Sequence, residues 1–476
     1  MSVLQSIRFA ITASRLGATP YRSPSRVEHL QRRRLRRLLR YAVAHSPYYR
    51  TKFRGCELER ADLASLPITR KEELAENFDC VVTNPRIQRE NVERFLSTPK
   101  NLGRWFLGQY GVSRTSGSQG RPLLIVQDRR ALELLFAIMS ARASTQRPTP
   151  LEGLRRLRSP KRVAIVATQR GFYPSGAAFE LMPELVGAFV RVERLAAQQP
   201  DLFQRLNAFQ PHVLVGYASV LDALAWRSDQ LQLTELRQIA NSSEQLTPRS
   251  RQHIESTFGV PVIDHYATGE CLFLSDGCPT HGGAHINSDW AIVEVVDNQY
   301  RPVAPGQLGD KVLITNLANR VQPFIRYEVD DRISLATQPC GCGSRLPRIE
   351  RIEGRSGDLF WTRDANGDRM LSGVLLHTAA DAIPDIREWQ ALQTERNRIE
   401  WRVQLAAHSA LTSADVRSFL LAKLHELGLP REVVIDVRLV HALGHDPATG
   451  KRRRMISIVG PPNHVPAISG GVACQT

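Results

Sequence analysis

The chain has 476 residues, 42% of them hydrophobic, seven cysteines and a formal net charge of +16. That length exceeds one usual hydrophobic core and predicts two or more domains, while seven cysteines are too few for a disulfide scaffold. No apolar run approaches the roughly 20 residues of a membrane helix, and Arg8 and Arg15 interrupt the apolar residues at the N-terminus where a secretory core would lie, so the expectation is a cytoplasmic protein without a membrane span.

The densest cationic stretch covers residues 31–40, where Leu35, Leu38, Leu39, Ala42 and Val43 fall on one helical stripe ringed by arginines. A surface helix docked by its leucines accounts for it. No zinc-finger, helix-turn-helix or aromatic RNA-binding pattern accompanies the charge, so no specific nucleic-acid partner is expected. Further on, Thr115, Ser116, Gly117, Ser118, Gln119, Gly120 and Arg121 form a small polar loop before Pro122 and an apolar strand at 123–126. Glycines let the backbone approach a ligand, successive N–H groups make an anion nest, and hydroxyls and arginine add donors and charge. The spacing is not that of the Walker loop, and an ordinary polar turn is the alternative.

Helices and strands then alternate. Strands are expected at 163–167, 211–216, 236–240 and 260–264, and helices at 202–208 and 248–258, the latter with Thr247 as N-cap and Pro248 at its first position. This rhythm predicts an α/β domain with ligands at the carboxyl ends of its strands. From residue 291 the pattern turns β-rich, with strands at 291–296 and 311–315, and residues 460–476 read as a disordered tail. Polar segments fall at strand ends over 265–270, 323–331 and 348–358, and Glu270 beside a phosphate loop is a natural Mg²⁺ ligand.

These three segments and the phosphate loop, in this order, resemble the core motifs of the acyl-adenylate-forming ligases. The nearest branch is the phenylacetate–CoA ligase-like proteins, including capsule-biosynthesis and coenzyme F390 synthetase-like members; residues 41–50 and 66–74 resemble its N-terminal signatures. The resemblance runs from about residue 40 to 459. It implies a large multi-layered α/β AMP-binding domain over 1–353 and a small mobile α+β lid domain over 354–459. It also implies a two-step reaction: a carboxylic acid, aryl or modest acyl, attacks the α-phosphate of ATP, and the acyl group then passes to the thiol of CoA or of a phosphopantetheine carrier protein. An amine or hydroxyl acceptor, or a non-catalytic binding module, are the alternatives.

By motif position the resemblance assigns residues 115–121 to the β- and γ-phosphates, although the family usually has Lys where Arg121 stands and Thr-Thr where Ser118 and Gln119 stand. Ser243, Glu244, His265 and Tyr266 match segments lining the adenine site, with Tyr266 stacking on the base. Glu270 matches the Mg²⁺ ligand and Asp331 the ribose-binding aspartate, with Asp330 in place of the usual glycine. Arg355 matches the arginine after the hinge glycine, with the hinge at 356–358. Lys451 matches the adenylation lysine, and Arg452, Arg453 and Arg454 are expected in a solvated turn. The acyl pocket would be lined by residues 173–176, 216–219 and Ala267, with Tyr217 equally suited to the core and Cys271 to the pocket wall.

A second group concerns metal. Cys340 and Cys342 flank Gly341, and Cys278, His281 and His285 lie upstream. Three cysteines and one histidine fill a structural Zn²⁺ tetrahedron; unpaired thiols in a glycine-rich loop are the alternative, since C-x-C is tighter than the usual C-x₂-C. Some phenylacetate–CoA ligase-like proteins share this pattern, which implies His285 rather than His281.

Overall fold

The computed structural model describes residues 3–60, 62–115, 122–142, 159–167, 171–182, 190–197, 199–242, 244, 246–278, 280–355, 360–364, 367–371, 376, 379–427, 429–444 and 454–459. Helices Val3–Ala18, Pro24–His45 and Pro47–Lys52 open the chain. The second buries Leu35, Leu38, Leu39 and Ala42, so the arginine-rich stretch is an amphipathic helix docked by its leucines, as its periodicity predicts. These residues share a core with Tyr48, Tyr49, Leu66, Leu74, Leu123, Ile125, Phe324, Ile325 and Tyr327. The N-terminal helices therefore pack against segments far along the chain, as where the Tyr49 hydroxyl donates to the Pro323 carbonyl 274 residues on.

Strand β1 (Tyr110–Arg114) pairs antiparallel with β2 (Leu124–Asp128) in the register Arg114 to Leu124. Thr115 closes the hairpin: its N–H donates to the Leu123 carbonyl at 2.9 Å, and its Oγ1 accepts from the Leu123 N–H at 2.9 Å. Leu123 to Val126 are all buried, as their composition predicts.

Behind the hairpin lies a five-stranded parallel sheet. Its strands are β3 (Lys161–Ala167), β4 (Val190–Ala196), β5 (Val213–Gly216), β6 (Gln238–Ser242) and β7 (Val262–His265), in the spatial order β4-β3-β5-β6-β7. Crossover helices include Leu202–Phe209, Ala218–Ala225 and Pro248–Phe258. Thr247 caps the last of these, its Oγ1 accepting from the Ser250 N–H at 3.1 Å, and Gly259 ends it at φ 66. Because all five strands run the same way, the residues following β5, β6 and β7 emerge along one edge.

The β-rich region forms two further sheets. One is antiparallel, β10 (Ala291–Val296), β11 (Lys311–Asn316) and β12 (Tyr327–Val329); the other runs β13-β14-β9-β8, built from β8 (Ser275–Gly277), β9 (Ala284–Ile286), β13 (Asp331–Leu335) and β14 (Arg348–Arg355). A buried ion pair ties the N-terminus to this region. Arg142 Nη2 lies 2.9 Å from Asp289, and its guanidinium also donates to the Leu16 carbonyl at 3.2 Å. Arg34 covers the Trp290 ring at 3.5 Å.

The C-terminal region has its own core. A hairpin, β15 (Phe360–Asp364) and β16 (Gly367–Leu371), precedes the sheet β19-β18-β17-β20, made of β17 (Ile386–Glu395), β18 (Arg398–Leu405), β19 (Val434–Leu439) and β20 (Met455–Ser457). Trp389 and Trp401 stack at 4.8 Å, and Phe360, Leu420 and Ile435 pack with them. Arg249 fastens this body to the parallel-sheet region by donating to the carbonyls of Ile383 at 3.2 Å and Pro384 at 2.7 Å. The mixed α/β architecture, with a large first part and a smaller α+β second part, is the one expected. No helix among the described residues is long and apolar enough to cross a membrane.

Candidate active site

The segment after β7 turns at His265 and Tyr266. The Tyr266 backbone is clamped by Ser275, whose Oγ accepts from its N–H at 3.1 Å and donates to its carbonyl at 2.7 Å. The phenol then donates to Asp331 Oδ2 at 2.8 Å, with both residues buried. Two residues 65 positions apart, both assigned to the nucleotide, are thus in direct contact. Asp331 opens β13, and its partner across the antiparallel ladder is Arg355 at the end of β14, so a third assigned residue stands at the same end of the same sheet.

Glu270 follows four residues after Tyr266 and is 7% exposed. Its Oε1 accepts from the Tyr327 hydroxyl at 2.9 Å, and its backbone carbonyl accepts from Asn316 Nδ2 at 2.7 Å. Glu244 stands at the end of β6, where its Oε2 accepts from the Ser219 N–H at 3.0 Å and so caps the helix Ala218–Ala225. Its charge and that of Tyr173 add to burial in pushing the Tyr217 phenol up to about 12. Tyr217 is half-buried and packs on the core behind the parallel sheet. His265 Nδ1 lies 3.3 Å from the Gly277 nitrogen on β8.

Of residues 115–121, assigned to the phosphates by motif position, Thr115 alone is described. Ser116, Gly117, Ser118, Gln119, Gly120, Arg121, Ser243, Lys451 and the hinge at 356–358 lie outside the described residues, as does the Arg355 side chain. Two expectations are corrected. Cys271 is fully buried within an apolar cluster with Phe273 and Leu274, which makes it core rather than pocket wall; burial pushes its thiol far up. Arg454 is not solvated: its side chain is 17% exposed and lies 3.9 Å from the buried Glu388 carboxylate. Sequence reasoning also missed Tyr327 and Asn316 as partners of Glu270. Tyr327 lies inside a singled-out segment, but nothing local marks its contact 57 residues upstream.

The cysteine and histidine residues do converge. The ligand atoms of Cys278, His285, Cys340 and Cys342 all lie within 4.8 Å of one another. Cys278 Sγ and Cys340 Sγ are 3.5 Å apart, and Cys342 Sγ is 3.3 Å from His285 Nε2. A zinc tetrahedron with bonds of 2.0–2.3 Å has edges of about 3.3–3.8 Å, so the donor set fits a structural metal. His285 Nδ1 meets the Leu346 carbonyl at 3.1 Å, leaving Nε2 toward the thiols, and burial lowers the imidazole's pKa. His281 is exposed, 3.5 Å from Cys340 Sγ, and stands outside the mutually close set. Gly283 brings β9 close to β14. At φ 67, a Cβ there would sit 2.1 Å from the Ile349 carbonyl oxygen, so only glycine fits.

No protein-family model matches the chain. It is 26% identical over 381 residues to the phenylacetate–coenzyme A ligase of Escherichia coli (strain K12), covering 75% of this chain and 77% of that one. Over 206 residues it is 27% identical to the protein CapK of Staphylococcus aureus, covering 41% and 42%. Its fold matches a crystal structure of 2-hydroxyisobutyryl-CoA ligase, in the postadenylation state in complex with 2-HIB-AMP, at a TM-score of 0.70; identity is 20%, over 91% of this chain and 90% of that one. Motif order and sequence relatives support the phenylacetate–CoA ligase-like branch and an acid–thiol ligase activity, and the fold is that of the adenylate-forming CoA ligases.

Proposed function

We propose that the chain activates a small carboxylic acid, aryl or modest acyl, as its adenylate and passes the acyl group to the thiol of CoA. In the first step a carboxylate oxygen bonds to the α-phosphorus and pyrophosphate leaves. In the second the thiol sulfur bonds to the acyl carbon, its proton is lost, and AMP leaves. The observation that carries this reading is the gathering of Tyr266, Asp331 and the Arg355 position at one sheet end, with Glu270 four residues after Tyr266 on the segment following β7.

In this reading Asp331 accepts the ribose hydroxyls and Tyr266 holds its carboxylate in place. Residues 115–121 grip the outer phosphates, and Arg355 and Lys451 meet charge on the phosphate and carboxylate. Glu270 holds Mg²⁺, which neutralises phosphate charge. Cys278, His285, Cys340 and Cys342 hold a structural Zn²⁺, with no position left open for chemistry.

The test is carboxylate-dependent ATP–pyrophosphate exchange across a panel of aryl and short acyl acids, followed by thioester assay on CoA, on a carrier protein and on amines. Exchange with at least one acid and thioester formed on CoA are expected. No exchange with any acid points to a binding module, and exchange without a thioester points to an amine or hydroxyl acceptor. Asp331→Asn keeps a partner for Tyr266 but loses the charge that receives the ribose; it is expected to raise the KM for ATP about tenfold with a smaller change in kcat. An unchanged KM would remove Asp331 from the nucleotide site.

A further inference from the structure

Glu270 is held at two points by the β10-β11-β12 sheet. Asn316 at the end of β11 donates to its main-chain carbonyl, and Asn316 Oδ1 in turn accepts from the N–H groups of Ala318 at 3.0 Å and Asn319 at 3.1 Å. Tyr327 at the start of β12 donates its hydroxyl to the side chain. Burial, followed by the negative charge of Glu270, raises the Tyr327 phenol well above its ordinary value, so the hydroxyl remains a donor throughout the working pH range.

Tyr327 is aimed by an unusual residue. Arg326 precedes it with φ 44, in the left-handed region, where a side chain with a Cβ costs about 1 kcal/mol or more. A dense set of contacts holds it there. Its guanidinium pairs with Glu294 at 3.0 Å and donates to the Leu66 carbonyl at 2.6 Å and the Ala64 carbonyl at 3.2 Å. Its N–H donates to Thr315 Oγ1 at 3.0 Å, and its carbonyl accepts from the Thr69 N–H at 2.9 Å. Thr69 forms a parallel bridge to Tyr327 and donates its hydroxyl to the Ile325 carbonyl at 2.8 Å. Tyr49 holds the same loop from behind, through the Pro323 carbonyl at 2.7 Å. Strain of this kind persists only where the surroundings over-determine it. Here the surroundings come from Glu294 and Thr315 of the neighbouring strands and from Ala64, Leu66 and Thr69 of the N-terminal segment, and the strained residue precedes Tyr327.

We propose that Tyr327 is the positioning residue of Glu270: set by Arg326 and by the segment around Leu66 and Thr69, its hydroxyl occupies one carboxylate oxygen and leaves the other as the Mg²⁺ ligand. This rests on the reading of Glu270 as that ligand. It also gives the N-terminal segment a role at the site, since residues that touch neither nucleotide nor acid fix the orientation of a group that does.

The experiment is ATP binding to the full-length protein by calorimetry, as a function of free Mg²⁺, for wild type, Tyr327→Phe and Glu270→Gln. Tyr327→Phe is expected to raise the half-saturating Mg²⁺ about tenfold, the lower end of what an outer-shell hydrogen bond to a metal ligand contributes, with ATP binding in the absence of metal unchanged. Glu270→Gln is expected to raise it at least as far. If Glu270→Gln follows the wild-type curve, Glu270 is not the ligand and both readings fall. If Glu270→Gln shifts the curve and Tyr327→Phe does not, Glu270 stands and the positioning role is overturned. Should Tyr327→Phe lose its cooperative melt, Arg326→Gly takes its place, since glycine accepts φ 44 while removing the guanidinium contacts; the same displaced curve is expected, and a wild-type curve overturns the proposal.

Discussion

Lys451→Ala is expected to slow adenylate formation by about 10³-fold, while thioester formation from supplied acyl-adenylate stays within a few-fold of wild type. The attacking carboxylate and the α-phosphate are both anionic, so their approach concentrates negative charge where only a fixed cation can meet it. Removing one such preorganised donor costs about 10²–10³-fold. Thioester formation starts from the neutral carbonyl of the adenylate, so a cation that bridges carboxylate and phosphate contributes little there. Just beyond this residue the chain is firmly placed. The Arg454 carbonyl accepts from the Ala391 N–H at 2.7 Å, its side chain approaches Glu388, and β20 runs parallel to β17 in the register Ala391 to Met455. The measurement is pyrophosphate exchange beside single-turnover thioester formation. Full exchange activity in Lys451→Ala would sink the assignment.

The second large effect concerns the cysteine–histidine cluster. Purified protein is expected to carry one zinc per chain by elemental analysis. Cys342→Ser, or prolonged chelation, is expected to lower the melting temperature by roughly 5–10 °C. Structural metal is folding energy, because the donor set does not pre-exist in the unfolded chain. The loss would spread beyond the cluster. The Arg345 N–H, three residues after Cys342, donates to the Pro20 carbonyl at 2.7 Å, so the loop carrying Cys340 and Cys342 also fastens the chain at Pro20. Protease sensitivity around residues 18–22 should therefore rise on metal removal. Protein that lacks zinc as purified and melts unchanged with chelator would leave the cluster as plain thiols.

Much of this was legible in the sequence because it obeys local rules. Thr247 with Pro248 marks a helix start, Leu35, Leu38 and Leu39 mark a buried stripe, and alternating elements mark a parallel sheet; of the three polar segments only 265–270 follows one of its strands, since 327–329 and 348–355 are themselves strands of other sheets. The cluster was legible because cysteine and histidine in such numbers have few other uses, and its choice of His285 over His281 followed from family pattern rather than from spacing. The contacts of Glu270 were not legible. Tyr327 and Asn316 reach it across 57 and 46 residues, through pairings that leave no periodic trace. The left-handed conformation of Arg326 had no glycine or asparagine to announce it, because tertiary contacts impose it against local preference. Arg454 was misjudged for a related reason: a run of four cations reads as solvated until one of them meets a buried carboxylate.

The strand β14 has a mechanical consequence. At its first residues it pairs with His285 and Ala284, beside the metal donors; at its last it pairs with Asp331, just before the expected hinge. Eight residues of strand span roughly 25 Å. With a metal bound as proposed, the cysteine–histidine cluster would be the footing of a cantilever whose far tip carries the Asp331 pairing. The tip also has built-in give, since the ladder with β13 slips register between Arg332 and Ile333 and again between Ser334 and Leu335. A stiff root and a compliant tip would let the C-terminal body swing without dragging the rest of the sheet along.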